Sequence, residues 1–299
     1  MEAVGLKVAA ECLPCLFERG YRETTYLTKN EKLRIEALRK VLEMMAEEFS
    51  WEAYPAKLGT LRDRIIKDFF GGRDPYAEMK KRSNRLALKL LPEAESFVSK
   101  AESPYEKFRR ACLVAARANA LEFDVKGYGF HLEDFKLSLG SRALTPDHTR
   151  KAYRLVKNGG LVFYLADNAG EIVLDRVLVE VLKEFKAEVV LVVKGGPVLN
   201  DATMEDVKAS GIGEIVDRVE TIGDTVGFIW DEAPPHLKSR LPEAKLTVAK
   251  GMGNYEALTE LEGGNLGINV FFLLRAKCNP IARSIKIERG ALAALLKTL

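Results

Sequence analysis

From about residue 5 to 125 apolar residues recur at spacings of three and four. "EKLRIEALRKVLEMMAEEF" (31–49) and "SPYEKFRRACLVAARANALEF" (103–123) are the clearest cases, and their period predicts amphipathic helices. Pro14, Pro55, Pro75, Pro92 and Pro104 fall where those helices should start or stop. Over residues 124–148 the period is broken by Gly127, Gly129, Gly140 and Pro146, which marks a junction. Beyond it short apolar runs alternate with helical stretches. "LVFYLA" (161–166) precedes a helix from about Glu171 to Lys186, and "EVVLVV" (188–193) precedes another near Asp201 to Ala209. "EIVDRVET" (214–221), "KLTVA" (245–249) and "NVFFLL" (269–274) read as further strands. Strands that are apolar throughout and alternate with helices belong to a parallel sheet covered on both faces. The expected fold is α/β, with a helical domain over residues 1–140. A three-layer α/β/α domain over 141–299 would follow, built on a doubly wound, mostly parallel sheet.

In such a sheet ligands bind beyond the carboxyl ends of the strands, at the switch point. The residues after each apolar run are polar in a consistent way. Asp167 and Asn168 follow the first strand, Lys194 and then Asp201 the second, Lys250 with "GMGNYE" the fourth, and Arg275 and Lys277 the last. Carboxylate and amide oxygens suit a hard divalent cation such as Mg²⁺ or Mn²⁺, with room left for water and a substrate phosphate. Lys194, Lys250 and Lys277 would offset phosphate charge, and the helix opening at Gly251–Asn254 would present amide groups to an anion. Each feature has an ordinary explanation, since Asp and Asn cap helices and glycines form turns. Their convergence on one rim points to a metal-assisted phosphatase. Arg117, Asn119 and Asp124 close the helical half facing that rim and are secondary candidates. His131, His148 and His236 have no metal-binding or triad spacing and read as structural.

Composition narrows the classes further. Apolar residues make up 47% and charged residues 30% of the 299, as in a globular protein, and no apolar run approaches the roughly 20 residues of a membrane helix. Lys and Arg number 46 against 43 Asp and Glu, a net +3 with no dense basic run, which argues against nucleic acid as partner. The N-terminus lacks the pattern of a secretory signal, so the expected location is cytoplasmic. The absence of Gln with abundant Lys and Glu suggests a thermophilic source. Cys12 and Cys15 form a C-x-x-C without a second ligand pair, compatible with a disulfide, a metal or redox role, or inert thiols. The sequence leaves the subunit number open.

The motifs "CLPC" (12–15), "RANALEFD" (117–124), "DNAGE" (167–171), "KGGPVLNDAT" (194–203), "TIGDTVG" (221–227), "AKGMGNYEAL" (249–258) and "LLRAKC" (273–278) together span nearly the whole chain. In them the sequence resembles the metal-dependent damage-control phosphatases, formerly domain-of-unknown-function family eighty-nine, in the archaeal-type branch with an N-terminal C-x-x-C. The resemblance implies a divalent metal (Mn, Mg, Ni or Co) held by Asp167, Asn168 and Asp201. It also implies hydrolysis of phosphate monoesters of small metabolites, such as sugar phosphates, nucleotides or damaged cofactors. Lys250, Asn254 and Lys277 would meet the phosphate, with Asp224 or Glu171 shaping the site; Lys194 and Asn119, read from the rim itself, complete the expected substrate contacts. Where some eukaryotic members carry Arg-Thr-x-Lys, this chain has Arg275-Ala276-Lys277, so their sugar-phosphate preference does not carry over.

Two routes to phosphate release are distinguishable from the residues. A metal-activated water is the expected nucleophile. Direct attack by Asp167, as in haloacid-dehalogenase-type phosphatases, calls for a second Asp two positions on, where Ala169 stands. Among other classes, an S-adenosylmethionine-dependent methyltransferase would need a glycine-rich turn that "DNAGE" lacks. A non-catalytic nucleotide or metabolite-binding module would use the same fold without turnover.

Overall fold

The computed structural model describes residues 5–119 and 143–299. Five helices come first: α1 (Cys12–Leu27), α2 (Glu31–Glu48), α3 (Pro55–Phe69), α4 (Ala77–Ser99) and α5 (Pro104–Ala118). Their ends follow local chemistry. The Asn30 side chain accepts from the amide of Lys32 (3.0 Å) to cap α2, and Ser103 accepts from Glu106 (3.2 Å) to cap α5. Pro55 and Pro104 occupy first-turn positions of α3 and α5, where a missing N–H costs nothing. Pro92 differs from expectation, because α4 runs through it. Pro92 and Leu88, whose carbonyl it leaves unbonded, both lie on the exposed side of the helix, away from the core.

The sheet elements are β1 (Leu144–Asp147), β2 (Gly160–Leu165), β3 (Ala187–Lys194), β4 (Arg218–Ile222), β5 (Leu246–Lys250), β6 (Asn269–Arg275) and β7 (Leu292–Thr298). The helices among and after them are α6 (Thr149–Val156), α7 (Glu171–Glu184), α8 (Met204–Ser210), α9 (Pro235–Arg240), α10 (Gly251–Leu258) and α11 (Asn279–Ile285). Spatial order is β1-β7-β6-β5-β2-β3-β4, parallel except for the β6–β7 pair. The chain leaves β2 toward β3 and β4, then returns to β5 on its other side, so the switch point lies between β2 and β5. The expected α/β class, helical N-terminal region and mostly parallel sheet are all present. β4 starts later than expected, after a short 3₁₀ turn at Ile212–Glu214. β1 and β7 were not expected as strands.

Alternate residues of one strand serve opposite cores. Tyr164 faces Leu90, Phe108 and Val173, whereas Phe163 joins Leu237, Tyr255 and Ile281. Burying each such side chain contributes about 1.5–3 kcal/mol. The first core contains α4 and α5 together with α7 and the sheet, while α1–α3 close a smaller core around Val41, Met45, Leu58 and Ile66. Cores therefore do not divide at residue 140, since two N-terminal helices form a layer on the sheet. Among the described residues no helix is long and apolar enough to cross a membrane. Of the histidines, His148 accepts the amide of Leu296 (3.1 Å) and His236 sits exposed 3.3 Å from Glu220. His131 and Asp124 lie outside the described residues.

Candidate active site

Beyond β2 the chain makes a two-residue ladder with the segment that follows β3. The amide of Ala202 donates to Asp167 O (2.7 Å), that of Ala169 to Asn200 O (2.9 Å), and Asn168 pairs with Asp201 as antiparallel partners. Directly opposed residues bring their side chains side by side, so the ladder itself places Asn168 beside Asp201. Both ends are pinned. Thr203 and Asp206 form a reciprocal cap at the start of α8, and Asn84 of α4 reaches across to accept from Gly170 N (2.7 Å) and donate to Asp206 (2.7 Å). The turn from β5 into α10 passes so near Asp167 that Gly251, at φ +76°, has no room for a side chain. A Cβ there would lie 1.8 Å from Asp167 Oδ2.

Two amides hold the acidic pair at the centre. Asn119, at the C-cap of α5, donates from Nδ2 to Asp167 Oδ2 (2.8 Å) and Glu171 Oε1 (2.9 Å), and its Oδ1 accepts from Arg275 N (3.0 Å). Asn168 Nδ2 makes the parallel contacts, 2.8 Å to Asp167 and 2.6 Å to Glu171. Behind them Lys250, wholly buried, bridges Glu171 (3.1 Å) and Asp175 (2.8 Å). Lys194, also buried, donates to Gly227 O (3.0 Å) and lies 3.6 Å from Asp201.

A cavity of about 220 Å³ lies between this rim and the helices α1 and α3. Asp167, Asn168, Asp201, Asn119 and Lys277 line it. Expected substrate contacts Lys194, Lys250, Asn254 and Glu171 stand one layer behind the cavity wall. The reason is that each already has buried partners; Asn254, for example, donates to the carbonyls of Ala166 (3.2 Å) and Lys250 (2.8 Å). Asp224 is outside the lining as well, tied to Arg64 (3.0 Å) and Lys67 (3.0 Å) of α3. Those ties fasten α3 to the rim. Lys67 also holds Pro197 O, and Asp63 accepts from Leu199 N (3.2 Å), next to the Asn200–Asp201 pair.

The electrostatics favour a cation. Four carboxylates, Asp167, Glu171, Asp175 and Asp201, meet two fully buried ammonium groups, Lys194 and Lys250. Burial, with Glu171 and Asp201 adding repulsion, raises Asp167 well above the usual carboxylate range, and Lys277 and Lys250 only partly oppose this. Burial lifts Asp201 to about 6 against the pull of Lys194. The Lys194 ammonium is itself depressed by burial. For Lys250 burial opposes the charge, yet Asp175 and Glu171 outweigh it and leave the pKa above its ordinary value. Among the described residues no group of three His, Cys, Asp or Glu side chains forms a metal site, but this donor set is two carboxylates and an amide. With Asn168 Nδ2 engaged, its Oδ1 is the atom left for a cation. Excess negative charge, oxygen donors and half-buried placement together fit a divalent ion.

Sequence reasoning missed Asp175, Arg19, Arg62, Glu23 and Asn84. A signal existed for Arg62, which lies four residues from both Leu58 and Ile66 on the buried stripe of α3, where a charge needs a reason. Asp175 is likewise one turn after Glu171. Cys12, Cys15 and Cys278 line the same cavity and are free thiols, with Cys278 raised to about 11 by burial.

Comparison with known proteins places this geometry in a family. Residues 8–293 match the model of the damage-control phosphatase ARMT1-like domain. A damage-control phosphatase of Archaeoglobus fulgidus is 35% identical over 293 residues, covering 97% of this chain and 99% of the relative. A damage-control phosphatase of Pyrococcus horikoshii is 31% identical over 294 residues, covering 97% and 98%. A crystal structure of a domain-of-unknown-function-89 family protein from Pyrococcus horikoshii superposes with a TM-score of 0.85 at 31% identity, covering 97% of this chain and 98% of that one. With its strand-end acids, fold and nearly full-length match, the chain belongs to the ARMT1-like damage-control phosphatase family.

Proposed function

We propose that the protein is a metal-dependent phosphatase acting on phosphate monoesters of small metabolites, the damaged ones named by its family among them. The observation that carries the reading is the meeting of Asp167, Asn168 and Asp201 in one half-buried, acid-rich cleft with Lys277 on its wall. Asp167, Asn168 and Asp201 would hold the divalent ion, with Mn, Mg, Ni or Co as candidates. When bound, such an ion lowers the pKa of a coordinated water and draws charge from the phosphoryl oxygens.

The chain's own residues do the rest. Asn119 and Asn168 fix Asp167 Oδ2 through two amide donors, which leaves Oδ1 as the carboxylate oxygen to meet a cation. Lys250 holds Glu171 and Asp175 in place from behind rather than touching substrate. Lys277, on the cavity wall, is the cation assigned to the transferring phosphate. Ala169, 2% exposed, stands where a second acid would be needed if Asp167 were the nucleophile, which supports attack by water.

The test is phosphate release from 4-nitrophenyl phosphate and a panel of phosphorylated metabolites with each metal in turn. Turnover should stop with a chelator and fall about a thousandfold or more in Asp167→Ala, with the fold retained by circular dichroism. Ligand binding without phosphate release under every metal would make the protein a sensor instead. Trapped beryllium fluoride on Asp167 would overturn the water route.

A further inference from the structure

The helical wall of the cavity carries two cations with no part in the chemistry above. Arg19 of α1 is half-buried and lines the cavity, and Arg62 of α3 lines it while only 3% exposed. Arg62 Nη2 lies 3.1 Å from Glu23, itself 1% exposed, but the contact lacks hydrogen-bond geometry. Arg62 Nε and Nη2 make no hydrogen bond among the described residues. Asp63, the next residue, does not supply the missing acceptor: its Oδ1 accepts from Leu199 N (3.2 Å), and its Oδ2, 2.9 Å from Lys67, makes no hydrogen bond to Arg62. Glu23 acts on both guanidinium groups, with Tyr76 ahead of it on Arg19, so two positive charges share one buried acid.

Buried donors left without acceptors are costly, and a guanidinium is the group whose planar fork fits a carboxylate or phosphate with two parallel hydrogen bonds. Glu11 and Glu256 also line the cavity, as do the acids of the metal set, so an anion entering it would be received at Arg19 and Arg62 or at Lys277. A cavity of about 220 Å³ admits a small metabolite whose two ends reach both places.

We infer that Arg62 with Arg19 forms a second anion subsite, facing the metal and Lys277 wall, and selects phosphate monoesters that carry another anionic group, carboxylate or phosphate, at the far end. The assignment of the near end rests on the phosphatase reading; the subsite itself does not.

Glucose 6-phosphate, 6-phosphogluconate and glucose 1,6-bisphosphate share a skeleton and differ at the far end, so they separate the two sources of the second anion. Each competes, as substrate or inhibitor, against 4-nitrophenyl phosphate, and each is titrated calorimetrically without metal. The expected result is at least tenfold tighter competition by one or both of the doubly anionic compounds. Arg19→Gln should cut that preference below threefold with kcat for 4-nitrophenyl phosphate within threefold of the parent. Because Arg62→Gln alone would strand Glu23, the double variant Glu23→Gln/Arg62→Gln is the companion, with the same loss expected. Equal binding of the three compounds, or a preference that survives in both variants, overturns the subsite. Failure to hydrolyse 4-nitrophenyl phosphate under any metal overturns the phosphatase reading instead, and the calorimetric preference then still decides the subsite.

Discussion

The sheet wall and the helical wall of the cleft hold their charges by different means. On the sheet wall three of the four acids are fixed by directed hydrogen bonds, with Asn119 and Asn168 on Asp167 and Glu171, and Lys250 on Glu171 and Asp175. On the helical wall Arg62 and Glu23 touch at 3.1 Å without one, packed against the small core of α1–α3. Hydrogen-bonded groups are held in one geometry, as a reacting centre requires. Charges that lack acceptors can turn toward an incoming ligand. Under the proposed function, the contrast puts chemistry at the strand ends and selection on the helices.

The largest effect should come from Lys250→Met. It removes the sole ammonium that contacts both Glu171 and Asp175 among the described residues and leaves two buried acids facing each other. Urea unfolding should show a loss of about 3–5 kcal/mol. A loss below about 1 kcal/mol would mean that the sheet wall is not held by this bridge. Next comes Gly251→Ala, whose methyl would collide with Asp167 and whose left-handed backbone disfavours any side chain. It should cost about 1–3 kcal/mol and, by shifting Asp167, about a hundredfold in turnover.

The helical wall is tested through pH. Burial, with Asp63 adding, raises Glu23 to about 7 despite Arg62. The folded state therefore keeps a proton that the unfolded chain releases near its ordinary carboxylate pKa. Stability from this group is complete below that ordinary value and declines as pH rises toward about 7. The decline should be about 1–3 kcal/mol and should vanish in Glu23→Gln, measured as unfolding midpoints at acidic and neutral pH. The smallest effect should be that of Arg64→Ala. Its ion pairs to Asp224 (3.0 Å) and Glu232 (2.6 Å) are about a third exposed, so the loss should stay under about 1 kcal/mol.

Much of this was legible in the residues. The period of the N-terminal half gave its helices, and the polar residues after the apolar runs gave Asp167, Asn168 and Asp201, because a parallel sheet forces its connections to start there. β7 was missed because "ALAALLKT" has helix-forming composition, and only pairing with β6 and burial of Ala293 and Ala294 make it a strand. Lys250 was read as facing phosphate because the spacing of one strand cannot reveal that Glu171 and Asp175, a turn apart on α7, await it from behind. Arg62 has no motif around it, and only its place on the Leu58–Ile66 stripe marks it as buried.

One consequence concerns how such a protein can be divided or inherited. α4 and α5 lie on the sheet within its main core, and α5 is followed by its cap residue Asn119. A gene fragment encoding only residues 141–299 would bare an apolar sheet face and lack an amide that holds Asp167. Recombination that swaps the C-terminal half without those two helices would transmit neither solubility nor a working centre, so the smallest portable unit begins no later than α4.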